Sequence, residues 1–119
     1  MAKKRRKKLE RTKLREECLA LAKTIAKTRD GYVCQKCGER SAAKGHKIDG
    51  SHVFAVGGNS AVLAVDPINI KALCFECHQW FGGNPTESGD WFRETFPKRM
   101  EYLDWQKVVT KSYGTIPIQ

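Results

Sequence analysis

The sequence predicts a small α+β fold. It has a basic N-terminal helix, a cross-linked strand–strand–helix core and a C-terminal helical cap. Three observations predict it. Two Cys-x-x-Cys pairs, Cys34/Cys37 and Cys74/Cys77, stand 36 residues apart. Short apolar runs lie between them, bounded by Gly, Asn and Pro. On either side, apolar residues recur at helical spacing. A 119-residue chain is one domain and buries a modest fraction of its surface, so cross-linking helps it. The expected divisions are 1–30, 31–85 and 86–119.

Residues 9–29 read as a helix. Leu14, Cys18, Leu21 and Ile25 recur at spacings of 4, 3 and 4 and mark its buried face. Cys18 belongs to that stripe as a small hydrophobe. Asp30-Gly31 ends the helix. Residues 32–40 form a Cys-x-x-Cys-Gly turn, in which Gly38 lets the backbone fold back toward sulfur. Residues 48–56 and 61–65 read as two strands of a hairpin, joined by Gly57-Gly58-Asn59-Ser60. Asp66-Pro67 breaks the second strand, with Asp66 as a turn residue. Residues 75–81 begin a short helix that Gly82-Gly83-Asn84-Pro85 closes. Residues 86–109 give two short helices, with Ser88 as an N-cap and Pro97 opening the second. Trp80, Trp91 and Trp105 are expected to pack this cap.

Charge is unevenly spread. The net charge is +9, and residues 1–30 hold 12 Lys/Arg against 4 Asp/Glu, or +8. Residues 31–119 hold 10 against 9, or +1. Lys3, Lys4, Arg5, Arg6, Lys7 and Lys8 are consecutive, and Arg11 and Arg15 follow. Such a run repels itself and is stabilised by a polyanion, most often nucleic acid. The helix lacks Trp or Phe to anchor in a bilayer. No apolar run approaches the ~20 residues a span needs. With no secretory signal and five cysteines, an odd number, the expected compartment is the reducing cytoplasm.

In that setting paired Cys-x-x-Cys turns mean metal. Cys34, Cys37, Cys74 and Cys77 supply four soft ligands for a tetrahedral structural Zn²⁺. The gap exceeds that of common zinc ribbons, so something is inserted between the turns. The insert carries Asp49, His52 and Asn69, and His78 follows Cys77 directly. A carboxylate and histidines left over can hold a second ion and activate a water. On an extended strand Asp49 and Ser51 share one face and His52 takes the other. His46 lies in a polar loop and is left as a surface residue.

Two segments carry a resemblance. Asp49-Gly50-Ser51-His52, then Asn69-Ile70-Lys71-Ala72-Leu73-Cys74-x-x-Cys77-His78, resembles the HNH nucleases, the ββα-metal superfamily. The nearer likeness is to phage recombination endonucleases of the NinG (Rap) type. It extends to Phe81-Gly82-Gly83-Asn84-Pro85 and covers residues 32–104. The resemblance implies a zinc-stapled ββα-metal core and a DNA endonuclease. His52 would be the general base. Asn69, grouped with it as catalytic, would brace the hairpin. Asp49 and His78 would ligate a catalytic Mg²⁺ or Mn²⁺. Two positions depart from the pattern: Ser51 stands where many HNH enzymes place a metal-binding Asp or His, and His78 where NinG-like proteins have Asn.

The expected partner is therefore DNA, with branched or junction DNA in phage recombination as the favoured substrate. A restriction-like or nicking nuclease is the alternative, as is a non-catalytic zinc module that grips nucleic acid through residues 1–30. Symmetric cutting of a junction needs two active sites, so a homodimer is expected.

Overall fold

The computed structural model describes residues 2–40, 47–55 and 61–113, with side chains described from residue 9 to 110 within them. His46 and the Gly57–Ser60 loop lie outside the described residues. The order of elements is α1 (Ala2–Arg29), β1 (Ile48–His52), α2 (Ala61–Ala64), a 3₁₀ turn (Pro67–Asn69), β2 (Ile70–Cys74), α3 (Phe75–Gly83), α4 (Pro85–Thr95) and α5 (Pro97–Tyr113). The result is a small α+β fold on a two-stranded antiparallel sheet. Among the described residues no helix is long and apolar enough to cross a membrane.

The sheet pairs β1 with β2, from Ile48 opposite Cys74 to His52 opposite Ile70. This corrects the hairpin expected of 48–56 and 61–65. The Ala61-Val62-Leu63-Ala64 run is helical, and the second strand begins at Ile70. Every residue of β2 is buried, because α1 covers one face of the sheet and α3 the other. The outer edge of β2 is closed by side chains and by the cysteine turn. Ala72 donates its N–H to Asp30 Oδ2 at 2.9 Å, and its carbonyl accepts from Gln35 N at 2.9 Å. Arg29 reaches the carbonyls of Ile70 (2.6 Å) and Pro67 (2.8 Å). An open edge would leave these groups unpaired.

α1 docks by its smallest residues. Ala22 and Ala26 are buried with Ile70, and Val65 packs against them. The stripe expected to be buried is turned out: Leu14, Leu21 and Ile25 are 60%, 61% and 48% exposed, and Cys18 is exposed. Close approach explains the choice. A Cβ on Gly50 would lie 2.8 Å from Lys23 Cγ and 3.0 Å from Lys23 Cβ. A leucine does not fit where a glycine is already in contact. Gly50→Ala is expected to push α1 off the sheet and cost about 1–3 kcal/mol in urea unfolding. Unchanged stability would mean that α1 does not press on this position.

The main core lies under the helical cap, where Leu63, Leu73, Phe81, Phe92, Met100 and Leu103 meet. Trp80 and Trp91 pack edge-on there, 6.1 Å between centroids. Trp105 does not join them; it is 59% exposed beside Tyr102. Ser88 is not an N-cap. It lies inside α4, buried, and donates its Oγ–H to the Phe81 carbonyl at 2.9 Å, tying α4 to α3. Asn84 stands at the N-cap position of α4, ahead of Pro85, and its Nδ2 donates back to the Trp80 carbonyl of α3 at 3.0 Å.

Candidate functional site

The cysteine turn folds as a knuckle. Cys34 N donates to Glu39 O, and Gly38 N donates to Cys34 O. Gly38 has φ of 79°, which glycine adopts without a Cβ clash. The second pair sits where β2 ends and α3 begins, so Cys74 leaves the strand and Cys77 comes from the first helical turn. The four sulfurs of Cys34, Cys37, Cys74 and Cys77 lie within 4.8 Å of one another. Cys37 and Cys74 sulfurs are 3.7 Å apart. A tetrahedron with Zn–S of about 2.3 Å has sulfur edges of about 3.8 Å. The four cysteines can therefore bind a metal such as zinc. Their protonation fits a cation. Burial raises the Cys34 thiol, but backbone N–H groups of Cys37, Cys74 and Lys36 outweigh it and bring it down to about 7. Burial, then crowding by Cys74 and Cys34, pushes Cys77 up. A divalent ion removes that conflict by holding all four as thiolates.

Asp49 and His78 meet across the sheet–helix boundary. Asp49 Oδ2 lies 3.3 Å from His78 Nδ1, and both side chains are partly exposed. They line a cavity of about 440 Å³ with Phe75, Gln79 and Gly82. Together they are a pair of possible metal donors beside open space. Among the described residues, the cysteines are the one such group of three or more.

His52 ends β1. Its Nε2 lies 2.9 Å from the Ala64 carbonyl. A carbonyl only accepts, so Nε2 carries the hydrogen and Nδ1 keeps its lone pair. Burial lowers the His52 pKa; the Ala64 bond raises it, and Lys23, Lys71 and His78 lower it further. The ring is neutral at pH 7 and able to take a proton. It lines a second cavity, about 210 Å³, with Phe81, Gly82, Ser88 and Gly89 among its walls. Gly82 borders both cavities, so His52 and the Asp49–His78 pair flank one glycine of α3.

Asn69 is fully buried. Its Nδ2 donates to Phe54 O (3.1 Å) and Leu63 O (2.8 Å), and its Oδ1 accepts from Phe54 N (2.8 Å). It ties the segment after His52 to α2, whose Ala64 carbonyl orients His52. Buried and with its side-chain bonds spent on backbone groups, Asn69 braces the His52 end of β1 in this fold. Arg11 and Arg15 are exposed on α1; the side chains of Lys3–Lys8 lie outside the described ones.

One residue escaped the sequence reading. Lys71 is fully buried, with Nζ 3.1 Å from Ser51 Oγ, 3.3 Å from Ser51 O and 3.2 Å from His52 O. Its Nζ sits 3.3 Å from the centre of the Phe81 ring. Ser51 is thus committed to Lys71 and buried at 1% exposure, which removes it as a metal ligand. A lysine within a strand pattern signals a solvent face, so nothing in the sequence marked this one.

Comparison with known protein families, characterised proteins and solved structures finds no match to this chain.

Proposed function

We propose that the chain is a metal-dependent DNA endonuclease of the HNH, ββα-metal kind. One observation carries the reading: a neutral, carbonyl-oriented His52 and an Asp49–His78 pair flank the same glycine of α3. A base and a cation site at adjoining cavities are what hydrolysis of a phosphodiester draws on.

In this mechanism the scissile phosphate lies in the groove over Gly82. His52 Nδ1 takes a proton from the attacking water. Its Nε2–H stays on the Ala64 carbonyl, which fixes the ring and receives part of the developing positive charge. Asp49 and His78 would hold Mg²⁺ or Mn²⁺, which when bound supplies positive charge to the phosphate and the departing oxygen. An imidazole ligand favours Mn²⁺ over Mg²⁺. Asn69 keeps the His52 end of β1 in register with α2. The basic N-terminal segment grips phosphates without reading bases, which suits a structure-specific substrate such as a four-way junction.

The test is cleavage of a labelled four-way junction and a plain duplex in Mg²⁺, Mn²⁺ and EDTA. Metal-dependent cutting is expected, with a preference for the junction. His52→Ala should lower the rate by about 10²–10⁴-fold, the usual contribution of a general base, while junction binding persists. DNA binding with no cutting in either metal would sink the reading in favour of a zinc-bound nucleic-acid module.

A further inference from the structure

α1 has two apolar faces, and the body uses only the smaller. Ala22 and Ala26 meet the sheet. Leu14, Cys18, Leu21 and Ile25 lie beside that face and are exposed. A contiguous exposed stripe of large apolar side chains marks an interaction surface. Its 4, 3, 4 spacing is that of a coiled-coil seam, with alternating d and a positions. Its flanks are self-complementary. With Leu14 at d and Cys18 at a, Glu10 falls at g and Arg15 at the following e. In a parallel, in-register pair, each Glu10 faces the partner's Arg15. Glu17 at the next g has no charged residue at the following e, which is Ala22, buried against β2. α1 is 28 residues long and bears a run of six cations that oppose helix formation by repulsion. A parallel partner brings a second such run alongside, and Arg11 at the preceding a position beside its own copy, so pairing strengthens as salt screens them.

We propose that the outward stripe of α1 is a homodimer interface, in which two copies pair through Leu14, Cys18, Leu21 and Ile25 as a short parallel coiled coil flanked by Glu10–Arg15 ion pairs. Two heptads make a weak pair, so affinity is limited and concentration matters. The Lys3–Lys8 runs of both copies lie at one end, giving a doubled cationic surface. This surface stands independently of the nuclease reading.

The experiment is sedimentation velocity of the full chain from about 5 to about 500 µM, in about 0.3 M salt to screen the two cationic runs. A concentration-dependent dimer is expected. Leu21→Glu, at an exposed site that the fold does not need, should give monomer throughout with unchanged circular dichroism. Glu10→Arg and Arg15→Glu should each weaken the dimer, and the double reversal should restore it. Diamide should oxidise two apposed Cys18 thiols to one disulfide while it is itself reduced to the hydrazide, and Cys18→Ser should abolish that covalent dimer. A monomer at every concentration overturns the proposal. So does a dimer indifferent to Leu21→Glu, or a double reversal without rescue. A monomer that loses thermal stability on Leu21→Glu would show that the chain's own residues cover the stripe, which also overturns it.

Discussion

Stripping the metal from the four-cysteine site is expected to unfold the core in one cooperative step. The site is not an appendage. Cys34 is 1% exposed and Cys74 9%, and both belong to the main core beside Leu73 and Phe81. Among the described residues the knuckle is also tied to β2 by Gln35 N on the Ala72 carbonyl and to α3 by Lys36 over the Trp80 ring. Structural zinc binding is worth about 10–16 kcal/mol near neutral pH. That is as large as the whole stability of a small domain, about 5–15 kcal/mol. Titration with a strong chelator, followed by circular dichroism and by a zinc-sensitive dye, should show zinc release and loss of helix together. Cys77→Ser should lose zinc and fold poorly, whereas Cys18→Ser should keep both. A chelated protein with unchanged melting would show that packing alone holds the knuckle.

The sequence made the cysteine framework readable because its chemistry is local: each pair lies in one turn and needs only its own spacing. The C-terminal helices were readable for a similar reason, since Pro97 and Gly82-Gly83-Asn84-Pro85 punctuate them regardless of what they pack against. β2 was not readable. It is covered on both faces, so it lacks the alternation of a half-exposed strand, and Lys71 at its centre looks like solvent-facing polarity. The Ala61–Val65 run offered the opposite error. It is short, apolar and partly β-branched, and periodicity cannot separate strand from helix there. Asn69 is bonded to the Leu63 carbonyl, and Asp66 Oδ1 caps the following turn through Ile68 N, contacts that only the fold supplies. For α1 the pattern rule chose the largest apolar residues, while a helix lying on Gly50 needs the smallest.

The candidate site divides in the same way. Asp49, His52 and His78 could be picked out by residue type and order; the structure pairs Asp49 with His78 at one cavity and puts His52 on another that shares Gly82. What orients them could not. The Ala64 carbonyl on His52 is a backbone group of a segment read as a strand, and no side-chain pattern announces it. Lys71 was hidden because a buried lysine is rare unless paired. Among the described residues no carboxylate faces its amino group; its neighbours are Ser51, the His52 carbonyl and the faces of Phe81 and Phe92.

That arrangement makes Lys71 the source of a distinctive pH dependence of stability. Burial pushes its pKa down to about 6, against 10.5 for a free lysine. Three acceptors and a ring face favour the ammonium, but loss of water outweighs them. Below pH 6 both the folded and the unfolded chain carry the proton, and the folded state bears the full cost of a buried charge. Between about 6 and 10.5 the folded amine is neutral while the unfolded lysine is still protonated. Folding then releases a proton, and stability rises by roughly 1.4 kcal/mol per pH unit. Above 10.5 both states are neutral and the rise ends. Lys71→Met keeps the length of the side chain and removes the titration. The stability of the native chain minus that of the variant should therefore climb by roughly 3 kcal/mol from pH 7 to pH 9 in urea unfolding. Groups that titrate alike in both proteins, the zinc thiols included, cancel in that difference. A flat difference would mean that Lys71 stays protonated in the fold throughout that range. In that case its charge would bear on His52 at every working pH, and the imidazole would be a weaker base for it. A neutral Lys71 instead relieves His52 of that repulsion, leaving burial, Lys23 and His78 as what lowers the His52 pKa, while the Lys71 N–H groups still hold the Ser51 and His52 carbonyls. The same stability difference thus reports on whether the groove is set for a base near neutral pH.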